Sequence, residues 1–245
     1  MDSAQVMLPN GSTSLDWCVR VLCGYPAEDA LAYLQRLPRD AYANVPSVQT
    51  IVEVARLYFQ GDLHEALRRL DAFDWSAETA MVRAVEGIWR ARLHTRSNDF
   101  AAARQQLEGV VALVDGQMPE WHIISMVANW RLGLLLFNDG DMQRARVQYR
   151  QARALARTAG LVREEAMLDS DIATVYLEIH DTLRAIELFS RSADALAEVG
   201  EHFVAGKIRI NIATTLQRHG HHAEAAKAYE DVMARSFDEI GRARV

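Results

Sequence analysis

The sequence predicts an all-α protein, a right-handed α-solenoid built from antiparallel helix pairs. Two observations predict this fold: a turn motif recurs about every 40 residues, and small residues flank each copy at fixed spacings. No segment shows the alternation of apolar and polar residues that is typical of a strand. The composition agrees, because 50% of the 245 residues are apolar, 24% are charged and only 5 are proline, as in folded globular proteins.

The repeated motif places an alanine five positions after a turn residue and a large side chain four positions after that alanine. A small or modest side chain also stands seven positions before each turn. Small residues at fixed places let two helix backbones approach closely, so each copy predicts a helical hairpin that must stack on its neighbours. The turn, alanine and large residues are Gly61, Ala66 and Leu70; Asn98, Ala103 and Leu107; Gly140, Ala145 and Tyr149; His180, Ala185 and Phe189; Gly220, Ala225 and Tyr229. The residues before the turns are Val54, Ala91, Gly133, Ala173 and Ala213.

The third copy shows the pattern most clearly, in Leu132, Gly133, Gly140, Asp141, Ala145, Tyr149 and Ala152. This pattern resembles the tetratricopeptide repeat over about residues 47–236. The period near 40 exceeds the usual 34, so we expect each helix to be longer by up to about one turn. Together with Tyr33–Pro38, the long period also resembles the repeat region of MalT-like, LuxR-type bacterial transcription regulators, where the repeats sense an effector.

We expect twelve helices in six pairs, forming a single solenoid over residues 13–245. Residues 1–12 are predicted to be a flexible tail, 13–37 an imperfect first pair, 47–236 the five repeats, and the remainder a short C-terminal tail. Prolines favour the first turn of a helix, and short polar residues favour its cap. On these grounds Pro26, Pro46 and Pro119 are predicted to open helices, with Asn44 or Ser47 capping one helix and Asp141 and Asp181 capping two others.

The ends of the chain leave two expectations open. No polar capping helix follows the last repeat, so the chain either forms a homodimer through this uncapped C-terminal end or belongs to a longer protein. We expect a cytoplasmic protein without a membrane partner, because the sequence contains neither a signal peptide nor an apolar run long enough to cross a bilayer.

The sequence predicts no catalytic or metal-binding site, so the chain is expected to be neither an enzyme nor a cofactor-binding protein. Residues Gly200–Lys207 superficially resemble a phosphate-binding loop, but five residues separate the glycines and Ile208 occupies the place of the magnesium-binding hydroxyl. A connection between two hairpins is the better interpretation. The histidines at 180, 219, 221 and 222 lack accompanying ligands at zinc spacing and are interpreted as solvated turns.

A basic stripe formed by Arg146, Arg150, Arg153 and Arg157 lies on one face of a predicted second helix. The net charge is −6, and no aromatic side chains interleave the stripe. We therefore interpret it as a solvated outer face and expect no direct contact with nucleic acid.

The resemblance implies a binding groove on the concave side, lined by the first helix of each pair. Asn211 occupies a place where many such grooves hold an asparagine that bonds a peptide backbone. Trp89 and Trp130 are equally well explained as core residues between long helices. The predicted groove residues are Tyr58, Trp89, Arg92, Arg96, Trp130, Arg131, Phe137, Asp171, Lys207, Asn211 and Arg218, with Ile88, Leu134, Thr174, Glu178, Thr214 and Gln217 beside them.

Two functions follow as expectations. The first is a non-enzymatic binding module or scaffold that engages a protein or peptide in the groove. The alternative is an effector-sensing fragment of a MalT-like transcription regulator, with a small molecule in a partly apolar pocket near Trp89 and Trp130.

Overall fold

The protein is described by a computed structural model over residues 45–114 and 121–242, with side chains through Met233. These ranges contain ten α-helices, a 3-10 helix at Trp75–Ala77, and no strand. The predicted tail at 1–12, the first pair at 13–37 and the predicted helix starts at Pro26 and Pro119 lie outside the described residues. The helices are α1 (Pro46–Gln60), α2 (Leu63–Ala72), α3 (Ala80–Arg96), α4 (Phe100–Val114), α5 (His122–Asn138), α6 (Met142–Thr158), α7 (Val162–Glu178), α8 (Thr182–Glu198), α9 (His202–Arg218) and α10 (His222–Arg242).

The chain divides into two compact units with a boundary between Leu135 and Leu136. The first unit contains α1 to α4 and most of α5. Within it, α1 packs against α2 and α3, and α3 packs against α4. The second unit contains the end of α5 and α6 to α10, and from α6 onward each helix packs against the next one along the chain.

The five predicted turn residues share one backbone conformation. All of them have positive φ: 89° at Gly61, 60° at Asn98, 83° at Gly140, 62° at His180 and 82° at Gly220. The next backbone N–H donates to the carbonyl five residues earlier, at 2.8 to 3.0 Å, which is the hydrogen bond of a Schellman motif. The motif therefore ends each first helix and reverses the chain within three residues.

The first four of these turns also start the second helix in the same way. The aspartate that follows the turn residue accepts a hydrogen bond from the backbone N–H three residues later, at 3.0 to 3.3 Å. These aspartates are Asp62, Asp99, Asp141 and Asp181. The predicted caps at Asp141 and Asp181 are confirmed, and a carboxylate is also favourable at the positive end of a helix.

The longer repeat period has a simple structural cause. Helices α6, α7, α8 and α9 each contain 17 residues, and three-residue turns join them. The turns between pairs use Gly160 and Gly200, which also have positive φ. The expected lengthening of the helices is confirmed.

The alanines and large residues of the motif form the core. All five alanines are at most 2% exposed, and Leu70, Leu107, Tyr149 and Phe189 are equally buried. The fifth large residue, Tyr229, is half-buried. On α6 the predicted stripe of Ala145, Tyr149, Ala152 and Ala156 is buried throughout, so this face of the helix is a packing surface.

The start of α1 differs in part from the prediction. Pro46 is its first residue, as predicted, but Val45 occupies the cap position and no side chain caps the helix. Ser47 lies inside the helix and is buried, so its predicted role as a cap is wrong. Asn44 lies outside the described residues.

Candidate functional site

In the first unit, the predicted groove residues of α1 and α3 form a cation–aromatic cluster. The Arg92 guanidinium carbon lies 4.3 Å from the ring centroid of Trp89 and 4.8 Å from that of Tyr58. Trp89 is fully buried and Arg92 is 4% exposed. Because both side chains are withdrawn from solvent, they stabilise the packing of α1 against α3 and do not offer a surface to a partner.

Arg96 extends this cluster to the surface. Its guanidinium carbon lies 4.8 Å from the Tyr58 ring centroid, and its Nη1 donates to the Tyr58 carbonyl oxygen. Arg96 is exposed and Tyr58 is half-buried. The contact therefore joins the C-terminal ends of two successive first helices.

The predicted groove residues of α5 are only partly accessible. Trp130, Arg131 and Phe137 are half-buried, whereas Leu134 is 46% exposed. Trp130 and Arg131 lie in the first unit and Phe137 lies in the second. Most of the predicted groove residues on α5 are therefore partly buried by packing.

In the second unit, α9 carries a continuous exposed polar row. Lys207, Asn211, Thr214 and Arg218 recur at i, i+4, i+7 and i+11, and all four are exposed. The opposite side of α9 is buried through Ala205, Ile208 and Ala213. The helix is therefore amphipathic, with a polar face that no described helix covers.

Helix α7 has polar residues at the repeat positions that are equivalent to those of Asn211, Thr214 and Arg218 on α9. Asp171 and Thr174 are half-buried and Glu178 is exposed. Helices α7 and α9 both pack against α8, and their starts are joined by an ion pair between Arg163 and Glu201. We call the set Asp171, Thr174, Glu178, Lys207, Asn211, Thr214 and Arg218 the first-helix face.

The first-helix face has opposite charges on its two helices. Asp171 and Glu178 are acidic on α7, and Lys207 and Arg218 are basic on α9. Asp171 also affects a core residue. The pKa of the Tyr149 phenol is raised mainly by burial and, to a lesser extent, by the negative charge of Asp171. Thr214 Oγ1 lies 3.0 Å from the Tyr229 hydroxyl, which orients it toward α10.

The arginine stripe of α6 is solvated only in part: Arg150 and Arg157 are exposed, as interpreted, but Arg146 and Arg153 are half-buried and the stripe also contacts α7. Arg150 Nη2 donates to the Tyr176 hydroxyl at 2.7 Å, and Arg157 donates to Glu165. Arg153 Nε lies 2.7 Å from Asp169 Oδ1. The side chains of the stripe therefore contact α7, because α6 packs against α7.

Asp169 is the buried centre of this network. Its side chain is 4% exposed and accepts two hydrogen bonds from Arg191 of α8, at 2.7 and 2.8 Å. The hydrogen bond to Asp169 raises the pKa of Arg191, whereas desolvation lowers the pKa of Arg153. Asp169, Tyr176, Arg184 and Arg191 were missed from the sequence, because their contacts join residues of different helices, 8 to 30 positions apart, and follow no periodicity within one helix.

The remaining sequence candidates are placed in turns. Gly200 has a φ of 84° and α9 begins at His202, so the segment that resembled a phosphate-binding loop joins two hairpins. His219 Nε2 lies 3.1 Å from Thr182 Oγ1, and His221 lies 3.6 Å from Glu224. Residues 45–114 and 121–233 contain no group of three side chains suited to a metal ion, and no described helix is long and apolar enough to span a membrane.

Known proteins resemble this chain in two ways. Residues 164–236 match the family Tetratricopeptide repeat. No curated protein matches the chain in sequence. Among solved structures, the apo form of RapI aligns with a TM-score of 0.70 at 11% identity, covering 82% of this chain and 74% of RapI.

Two further structures cover the fold. BtubC from P. vanneervenii aligns with a TM-score of 0.67 at 15% identity over 94% of each chain. The TPR-like repeats of a putative kinesin light chain from Podosopora anserina align with a TM-score of 0.66 at 20% identity, covering 78% of this chain and 96% of that one. These likenesses confirm the predicted all-α repeat fold, and the match over residues 164–236 supports the tetratricopeptide-repeat family.

Proposed function

We propose that the protein is a non-enzymatic scaffold that binds an extended segment of a partner protein on its first-helix face. Repeats of the tetratricopeptide type suggest protein interaction in general. The observation that carries the specific proposal is the exposed row of Lys207, Asn211, Thr214 and Arg218 along α9. Asp171 and Glu178 occupy the equivalent repeat positions of α7.

The chemistry of this row suits a peptide. The Asn211 amide offers two N–H donors and one carbonyl acceptor, so it can bond both polar groups of a peptide backbone. The backbone N–H and C=O groups are the same whichever side chains the peptide carries. Asn211 therefore supplies affinity for any extended segment that reaches α9.

The flanking charges supply selectivity. Lys207 and Arg218 of α9 favour acidic side chains of the partner, and Asp171 and Glu178 of α7 favour basic ones. A segment that lies between α7 and α9 with acidic residues toward α9 and basic residues toward α7 satisfies both rows. The partner is therefore expected to carry mixed charges in one short segment.

The small-molecule alternative remains a prediction. It requires Trp89 to line a pocket, but this side chain is fully buried against Arg92 and Tyr58. The partner-binding proposal does not depend on that cluster.

A selection from a displayed random-peptide library tests the proposal. Peptides are selected on the wild-type chain and then titrated against the triple variant Lys207→Ala, Asn211→Ala, Arg218→Ala. We expect the affinity to fall by at least about ten-fold, which corresponds to about 1.4 kcal/mol.

The matched control changes Arg144, Gln151 and Lys227 to Ala. It removes the same two positive charges and one amide from exposed positions outside the first-helix face. The control is expected to bind as the wild type does. Equal losses in both triple variants, or no loss in the first, would contradict the proposal.

A further inference from the structure

A second polar site lies apart from the first-helix face, where α6, α7 and α8 meet in the second unit. It is a pocket of about 230 Å³. Arginines dominate its rim, and Tyr176 and Ile172 of α7 form its floor. The lining residues are Arg150, Arg153, Ile172, Tyr176, Arg184, Glu187, Leu188 and Arg191.

The charges in this pocket are only partly balanced. Arg153 and Arg191 share the buried carboxylate of Asp169, and Arg153 also lies 3.7 Å from Glu165, which pairs with Arg157. Arg150 has no carboxylate partner among the described residues, and its guanidinium is held by the neutral Tyr176 hydroxyl. Arg184 lies 3.4 Å from Asp181 at the start of its own helix. Among the residues that line the pocket, Glu187 is the one acidic side chain against four arginines, so the lining itself is positively charged.

Tyr176 contacts three arginine side chains. It is 4% exposed, and the guanidinium carbons of Arg146 and Arg184 lie 5.8 and 5.7 Å from its ring centroid. Its hydroxyl oxygen accepts from Arg150 Nη2 at 2.7 Å, so the hydroxyl proton is directed elsewhere and has no acceptor among the described side chains. Two guanidinium groups therefore approach the Tyr176 ring, and a third binds its hydroxyl oxygen.

We propose that this pocket binds a phosphate monoester. Arg150 and Arg184 both line this pocket, and a dianion there offsets their like charge and accepts hydrogen bonds from their N–H groups. A phosphate offers three terminal oxygens, which matches Arg150, Arg184 and the Tyr176 hydroxyl better than a carboxylate with two. The groups come from three helices of one packed unit, so the donors are arranged before the anion binds.

A neighbouring pocket indicates room for the group that carries the phosphate. This second pocket, of about 390 Å³, is lined by Gly140, Asp141, Met142, Gln143, Arg146 and Ile179. Arg146 lines this pocket and approaches the ring of Tyr176, which lines the first pocket. The apolar Met142 and Ile179 fit the flanking residues of a phosphorylated peptide.

Calorimetric titration of the full chain tests this inference with three probes at matched ionic strength. The probes are inorganic phosphate, an acetylated Ala-Ala-phosphoserine-Ala-Ala peptide, and the same peptide without phosphate. We expect the two phosphate-containing probes to bind and the unphosphorylated peptide not to bind. Tighter binding of the phosphopeptide identifies a phosphorylated partner, and equal or weaker binding identifies a free phosphate compound; both results support the site.

Variants then locate the binding. Arg150→Gln and Arg184→Gln are each expected to weaken phosphate binding by about five-fold or more, because a charge-assisted donor is lost. Tyr176→Phe keeps the ring and removes the O–H donor, so a smaller loss is expected. Arg144→Gln, an equal change of charge at an exposed position of α6 outside the pocket, is expected to leave binding unchanged.

Three outcomes would overturn the inference. They are equal binding of the two peptides, an equal loss in Arg144→Gln and Arg150→Gln, and no heat from either phosphate probe. Thermal unfolding of each variant shows that it is folded, and exposed Arg150 and Arg184 are expected to change the melting temperature little. Because the triple variant at Lys207, Asn211 and Arg218 leaves this pocket intact, failure of one site is distinguishable from failure of the other.

Discussion

Gly87 in α3 and Val110 in α4 lie so close that a Cβ atom added to Gly87 would stand 2.5 Å from Val110 Cγ2. Val110 is 4% exposed, and its branched side chain has few rotamers to which it could move. The glycine is therefore what allows α3 and α4 to pack at this distance. The neighbouring Gly109 of α4 has no atom within 4 Å of such a Cβ.

Gly87→Ala is expected to destabilise the protein by about 1 to 3 kcal/mol, because overpacking outweighs the better helix propensity of alanine. Gly109→Ala makes the same chemical change in open space and is expected to stabilise by up to about 1 kcal/mol. Urea unfolding followed by circular dichroism measures both. A stabilised Gly87→Ala variant would show that α3 and α4 are farther apart than described.

The buried carboxylate of Asp169 gives a second prediction. Asp169→Ala leaves Arg153 and Arg191 without their shared partner and is expected to cost about 2 to 3 kcal/mol of unfolding free energy. Asp194→Ala is the matched control, because the Asp194 side chain is 71% exposed and forms an ion pair with Arg209 at 3.2 Å. The control is expected to change stability by less than about 1 kcal/mol. Similar losses of unfolding free energy in the two variants would contradict the central role of Asp169 in this network.

The turn at His180 holds a non-glycine residue at positive φ, which costs roughly 1 to 2 kcal/mol for most side chains. His180→Gly is therefore expected to stabilise the protein by about 0.5 to 1 kcal/mol, after the entropy of glycine in the unfolded chain is subtracted. Asn98→Gly at the equivalent turn is expected to give a smaller gain, because asparagine tolerates this conformation. Thermal melts compare the two, and a destabilised His180→Gly would mean that the imidazole makes a contact worth more than the strain.

Glu65 gives a prediction about pH. Hydrogen bonds from Arg68 and then Arg69 lower the pKa of its carboxyl to about 2, from an ordinary value of 4.5. Since the folded pKa is the lower one, the stabilising contribution is fully present above about pH 4.5 and is lost as the pH falls toward 2. Carbon NMR of the Glu65 carboxyl is expected to show a midpoint far below 4.5, and Arg68→Gln is expected to raise it. A wild-type midpoint near 4.5 would show that the pair does not persist in solution.

The repeat fold was predictable because its signals are local. The turn residues, the capping Asp141 and Asp181, and the buried alanines each occupy a fixed place within one hairpin, so five copies could be aligned by counting. The helix lengths followed from the same count. The cap of α1 was mispredicted, because Ser47 follows Pro46 into the helix, where its hydroxyl no longer precedes the first turn.

The candidate sites were less predictable, because accessibility depends on contacts between helices. Trp89 and Arg92 occupy positions that could line a groove, yet their mutual contact withdraws both from solvent. The stripe that includes Arg150 and Arg153 looked solvated, because nothing within α6 reveals Asp169 and Tyr176 on α7. Lys207 and Asn211 are exposed on α9, since the apolar side of that helix is formed by Ala205 and Ile208, and their place in a groove stays a prediction.

The most direct test of the central claim is a crystal structure of the chain with a peptide selected on it. The account predicts that the peptide backbone lies within hydrogen-bond distance of the Asn211 amide, with acidic side chains toward Lys207 or Arg218. A peptide bound elsewhere, with Asn211 left in solvent, would contradict it.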